Sequence, residues 1–186
     1  TNKNALMDEN SELGPSNPYG LTKFVIEKML NDAFRSNHNW RIINLRYFNP
    51  IGAHPSGLIG EDPFGIPNNL FPLIMQVAIG KIKEIKIFGK DWPTKDGTGI
   101  RDYIHVMDLA EGHLKALEFL INENPQVCNI NLGTGIGTSV LELIKTFERI
   151  NKVKIPYIFT NRRKGDSAFV VADNSFAKST LSWRPK

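Results

Sequence analysis

The chain has 186 residues, 41% hydrophobic and 23% charged, with a net charge of +4. That composition suits one sizeable globular domain or two small ones and excludes a disordered or fibrous chain. No apolar run approaches the ~20 residues of a membrane span, and the single cysteine, Cys128, points to a reducing, cytoplasmic setting. A basic balance can serve nucleic acid, a membrane surface or a phosphorylated ligand. The basic residues are scattered except in "KIKEIK" and "NRRKGD". There is no aromatic-interleaved basic stripe and no zinc-ligand spacing, so a phosphorylated small molecule is the expected partner, with no nucleic acid, no membrane and no metal.

Residues 1–18 are polar and rich in Asn, Ser, Gly and Pro, a loop composition. From Tyr19 to about Phe34, Val25, Ile26, Met29, Leu30 and Ala33 recur at helical spacing. "WRIINLRYF" reads as a strand closed by Pro50 and Gly52, and an irregular Gly/Pro/Asp-rich segment runs on to Asn69. "LFPLIMQVAIG" predicts a helix stopped by Gly80, and "EIKIFG" a short strand. The turn-rich "WPTKDGTGIRDYIHV" leads into another. "HVMDLAEGHLKALEFL" predicts an amphipathic helix with Val106, Leu109, Ala110, His113, Leu114 and Leu117 on one face. "VCNINLG" reads as a buried strand, and "SVLELIKTFERI" as a helix with Ser139 and Glu142 placed for a capping box. The remaining tail is mixed. Strands alternating with helices predict an α/β fold.

Several groups carry candidate chemistry. Tyr19 and Lys23 stand four apart at a helix start, so they share a face. An ammonium there would favour the phenolate, as a tyrosine base requires, although a Y-x-x-x-K spacing alone is a weak motif. In "NLGTGIGTS", Gly133, Gly135 and Gly137 follow a strand and precede a helix, but G-x-G-x-x-G needs glycine where Thr138 stands. A tight turn is the expectation there. Asn49 follows a strand and Asn69 precedes a helix, where each could face a ligand or simply form an Asx-turn or a cap. Arg101, Arg162 and Arg163 suit forked phosphate contact, or are merely solvated.

Taken together, the strings "SNPYGLTKFVIEKML", "LRYFNPIGAHPSGLIGEDPFGIPNNLFP", "IFGKDWPTKDGTGIRDYIHVMDLAEGH", "NLGTGIGTSVLELI" and "RRKGD" resemble the UDP-glucose 4-epimerases (UDP-galactose 4-epimerases) of the extended short-chain dehydrogenase/reductase family. The resemblance implies NAD-dependent epimerisation at C4 of UDP-hexoses through a 4-keto sugar, in galactose metabolism. It implies Tyr19 as the base, Lys23 beside it on the nicotinamide ribose, and Phe48 lining the nicotinamide site. Asn49, Asn69 and Leu70 would hold the UDP-sugar, and Lys86, Ile87 and Phe88 the uracil. Arg101 and Arg163 would clamp the diphosphate, Asp166 would contact the ribose, and Val170 would gate the sugar's C2 substituent.

The family also carries a glycine-rich NAD loop and a catalytic serine or threonine, which this sequence does not contain. The chain therefore reads as the C-terminal half or more of such an enzyme, inactive alone. The end of a Rossmann-like, NAD-binding domain is expected at 1–55 and 103–133, and an incomplete UDP-sugar-binding domain at 56–102 and 134–186. The resemblance also implies that the intact enzyme pairs through the Tyr19 helix and a neighbouring helix into homodimers. A nucleotide-sugar dehydratase or decarboxylase, or a UDP-sugar- or partner-binding module without turnover, are the alternatives.

Overall fold

A computed structural model describes residues 6–15 and 17–186. In chain order the elements are α1 (Pro18–Ser36), β1 (Ile42–Tyr47), β2 (Asn49–Ile51), α2 (Leu70–Ala78), β3 (Ile85–Phe88), β4 (Ile100–His105), α3 (Val106–Asn122), β5 (Val127–Leu132), β6 (Gly137–Ser139), α4 (Val140–Asn151), β7 (Tyr157–Thr160), β8 (Phe169–Val170) and α5 (Ser175–Leu181). β1 lies parallel to β5, β2 and β8 parallel to β4, and β3 parallel to β7; β6 runs antiparallel to β4. The expected α/β class is what forms. No helix among the described residues is long and apolar enough to cross a membrane.

The run expected as one strand to Pro50 is divided. At Phe48 the pairing partner changes from β5 to β4, so β2 is a separate strand. Pro50 has no N–H for a ladder, and β2 accordingly lies at the edge of its sheet.

α1 starts at Pro18, with the Asn17 side chain accepting a hydrogen bond from the Gly20 N–H at 2.8 Å. Its expected apolar stripe faces inward only in part, through the half-buried Leu30 and Ala33. The face turned to the protein carries Phe24, Glu27, Asn31 and Phe34, and Val25, Ile26 and Met29 are exposed. The anchor is polar: Arg46 of β1 donates to both Glu27 carboxylate oxygens, at 2.8 and 2.7 Å. That contact raises the Arg46 pKa.

α3 is rotated from its expected face as well. Asp108, Leu109, Gly112 and Ala116 are buried, whereas Leu114 and Leu117 are exposed. The cause is close approach: a Cβ on Gly112 would lie 3.0 Å from Leu132 and 3.4 Å from Trp183. Small residues therefore make the contact, and larger neighbours are turned out. In α4 the capping box forms as expected. Ser139 Oγ accepts from the Glu142 N–H at 3.0 Å, and Glu142 Oε2 accepts from the Ser139 N–H at 3.4 Å.

Two apolar cores result. One joins Ile104, Leu109, Ala116, Ile130 and Leu132 to Ala177, Leu181 and Trp183. The other joins Ile74, Val77, Ile85, Ile87, Leu141, Ile144 and Ile155. The mixed tail thus serves both: Ile155 enters the second core, and α5 with Trp183 closes the first.

Asp102, fully buried on β4, organises the glycine-containing turn after β5. Its carboxylate accepts from the N–H groups of Thr134 (2.8 Å), Gly135 (2.9 Å) and Ala172 (3.2 Å), and from the Thr134 hydroxyl (2.7 Å). A Cβ on Gly133 would sit 2.6 Å from Asp102 Oδ2. The turn's amides are therefore spent on an internal carboxylate, but the run is not the direct strand-to-helix turn expected, because β6, which includes Gly137, intervenes before α4. Asp102→Ala strands these donors in a dry site and should lower unfolding free energy by about 3–4 kcal/mol, read by urea denaturation.

Candidate functional site

β4 alternates. Asp102 and Ile104 point into the interior, so Arg101 and Tyr103 share the opposite face. In the parallel registers Asn49 of β2 stands beside Tyr103, and Val170 of β8 beside Arg101. Registered partners project to the same side of a sheet. Asn49, Tyr103, Arg101 and Val170 therefore form one patch. Arg101 Nη1 donates to the carbonyls of Ile100 and Ser167, both at 2.8 Å, which ties it to the segment leading into β8.

A second group converges on Arg101. Burial lowers its pKa, Asp166 opposes that, and Arg163 adds to it. Arg163 lies 4.5 Å from the centre of the Phe88 ring and pairs with Asp166 at 3.1 Å. Phe88 ends β3. Within that strand Lys86 is exposed, while the Ile87 side chain is buried in the second core, so its expected ligand contact can run only through its backbone. Asn69 holds the N-cap position of α2 but makes no side-chain cap bond, and Leu70 packs its side chain against the second core. Neither amide, Asn49 or Asn69, is spent on a side-chain hydrogen bond among the described residues, which leaves both available to a ligand.

Tyr19 and Lys23 are brought together as expected. Lys23 Nζ stands 5.1 Å from the Tyr19 ring centre, and the phenol is largely exposed. α1 packs on β1 and β5, and Phe48 follows directly on β1 beside Asn49. The apolar groove of about 470 Å³ between α2 and α4, lined by Phe71, Met75 and Phe147, holds none of these residues. No cluster of potential metal ligands occurs among the described residues.

Tyr103 was not singled out in the sequence. The signal was there, two positions after Arg101 on a strand. Burial pushes its pKa up to about 12, with Arg101 opposing, so the hydroxyl is a neutral donor at physiological pH. An unfolded tyrosine ionises near ~10. Between those values the unfolded chain holds fewer protons than the folded one, so stability falls as pH rises through that window. Tyr103→Phe should flatten this alkaline loss, measured by urea denaturation at pH 9 and pH 11.

A largely parallel α/β framework of this kind is shared by nucleotide-binding α/β proteins. The family described as "NAD dependent epimerase/dehydratase family" matches residues 2–133, and the chain belongs to it. It is 54% identical over 178 residues to the UDP-glucose 4-epimerase of Bacillus subtilis (strain 168), covering 96% of this chain and 52% of that protein. To the UDP-glucose 4-epimerase of Pasteurella multocida (strain Pm70) it is 56% identical over 171 residues, covering 91% of this chain and 50% of that protein. Its fold matches the crystal structure of UDP-glucose 4-epimerase from Bifidobacterium longum in complex with NAD+ and UDP with a TM-score of 0.94 at 46% identity, covering 99% of this chain and 55% of that one. The chain spans about half the length of the curated relatives it matches.

Proposed function

We propose that this chain carries the UDP-sugar site and the catalytic tyrosine of an NAD-dependent UDP-glucose 4-epimerase, a cytoplasmic isomerase of galactose metabolism. The observation that carries the reading is the convergence of Arg101, Arg163, Asp166 and Phe88 beside the Asn49–Tyr103 patch. Two guanidiniums from separate segments suit a diphosphate, the Phe88 ring suits a base, and Asp166 suits ribose hydroxyls. The Asn49 and Asn69 amides are free to hold the sugar.

The nicotinamide end of the cofactor fits the residues present. Lys23 has no carboxylate partner among the described residues, so its ammonium is available to ribose hydroxyls, and Phe48 offers an apolar wall. NAD, when bound, supplies the acceptor and donor for the hydrogen at sugar C4. The chain's own part is proton movement and placement. Tyr19 Oη takes the proton from the 4-hydroxyl and returns it after the 4-keto sugar has turned over, and Lys23 keeps positive charge beside the phenolate. The division into a cofactor part near 1–55 and 103–133 and a sugar part near 56–102 and 134–186 belongs to the same reading. Two separate cores suit a division into two parts, but α5 and Trp183, which fall within 134–186, pack in the first core, so the boundary of the sugar part is drawn short of them. Homodimer formation through α1 is supported by the exposed Leu21, Val25, Ile26 and Met29 on that helix.

Calorimetric titration with UDP tests the site. The unmodified chain should bind it, and Arg101→Gln or Arg163→Gln should each weaken binding by about 10–100-fold, the worth of a lost charged hydrogen bond. A chain that ignores UDP would refute the reading.

A further inference from the structure

Trp92 belongs to none of the groups above, yet it is hydrogen-bonded to Phe88 of one of them and stacked against the neighbour of Arg163. The Arg162 guanidinium lies over the Trp92 ring, 4.0 Å from its centre. Arg162 Nε donates to Asp91 Oδ1 at 2.9 Å, and its Nη2 donates to the Asp91 carbonyl. That contact holds the Asp91 carboxyl below the usual carboxylate range. At the ring's edge, Trp92 Nε1 donates to the Phe88 carbonyl at 3.2 Å, and the backbone N–H of Trp92 donates to the Gly97 carbonyl at 3.0 Å.

The fit is close. Gly89 has φ +86°, and a Cβ there would lie 2.6 Å from Trp92 Nε1 and 2.9 Å from Arg162 Cγ. The loop after β3 and the loop after β7 are therefore locked face to face. Their strands are already in register, with Phe88 opposite Thr160. Arg163, the next residue after the stacked Arg162, then lies over Phe88, whose carbonyl Trp92 holds.

An exposed ion pair such as Asp91–Arg162 fixes little by itself. A planar guanidinium stacked on an indole and forked onto one aspartate has far fewer orientations open to it. We propose that Trp92 is a positioning residue: clamped between the Phe88 carbonyl and the Arg162 guanidinium, it sets where Arg163 stands over Phe88 and so governs affinity for a nucleoside diphosphate without touching it. This rests on the reading of Arg163 and Phe88 as a UDP site. The gain comes from preorganisation, because an arginine already placed loses less freedom when the ligand arrives.

The test is UDP titration of the unmodified chain, Trp92→Leu, Trp92→Phe, Arg162→Gln, Arg163→Gln and the Trp92→Leu/Arg163→Gln pair, each checked for its fold by circular dichroism. Trp92→Leu should weaken UDP binding about tenfold, and Trp92→Phe, which keeps a ring for stacking, by far less. Arg162→Gln cuts the same link from the other side and carries the same tenfold expectation if Trp92→Leu does not fold. In the Arg163→Gln background, Trp92→Leu should cost no more than about twofold, because the group it positions has gone. General loosening of the fold would instead multiply the two losses. Undiminished UDP binding by both Trp92→Leu and Arg162→Gln, or a full tenfold loss persisting in the Arg163→Gln background, overturns the positioning role alone. Failure of the unmodified chain to bind UDP overturns the UDP reading and this role with it.

Discussion

Tyr19→Phe in the active full-length enzyme is expected to lower turnover of UDP-galactose by about two to four orders of magnitude, the usual worth of a positioned acid–base group. UDP affinity should barely move, because the residues proposed for the nucleotide lie on β3, β4 and the loop after β7 rather than on α1. The structure supports the assignment in a simple way. The phenol stands free on the first turn of α1 with one cation beside it. Steady-state kinetics with a parallel UDP titration checks both halves, and turnover within a few-fold of the unmodified enzyme would remove Tyr19 from the chemistry.

Val170→Tyr carries the second large effect. Val170 stands beside Arg101 on the patch proposed for the sugar, while Val171 is fully buried. The neighbouring Phe169 registers with Ile100 instead, and its ring approaches Gly137. Under the proposed reading the residue bordering the sugar is the small valine, and the aromatic one registers on the other side of the strand. Valine leaves room at the sugar's C2 for an acetamido group, so the full-length enzyme is expected to interconvert UDP-N-acetylglucosamine and UDP-N-acetylgalactosamine as well as UDP-glucose and UDP-galactose. Tyrosine would refill that space. Overpacking of ~1–3 kcal/mol corresponds to roughly 5–150-fold, lost from the N-acetyl substrates and not from the plain sugars. Comparing kcat/KM for the two substrate pairs decides the matter. An unmodified enzyme active on UDP-galactose but inert to UDP-N-acetylgalactosamine would refute the size argument.

Legibility in the sequence tracked how local the determining physics was. The α4 capping box lies within four residues and could be read directly, as could the stop of α2 before Gly80. The inward faces of α1 and α3 could not. Their apolar periodicity was genuine, but what they pack against decided the rotation: Arg46 draws Glu27 inward, and Leu132 with Trp183 demands glycine at 112. The short strands β7 and β8 exist because β3 and β4 offer them edges, a fact about distant residues. In the site, the tyrosine–lysine pair was visible as a spacing, and the forked arginines through the family resemblance. Tyr103 needed the register of β4, and Trp92 needed the docking of two loops 70 residues apart.

The Asp102 carboxylate has a consequence for how the molecule comes together. It ties residues 32 and 70 positions further along the chain to one point. Neither closure can be rewarded until β4, the turn after β5 and the segment after β8 have met, and closing such long loops costs entropy in advance. The adjacent amides of Thr134 and Gly135 and the distant one of Ala172 should therefore gain and lose hydrogen-exchange protection as one cooperative unit. Because β4 also bears Arg101 and Tyr103, the nucleotide patch acquires its geometry only when that knot is tied.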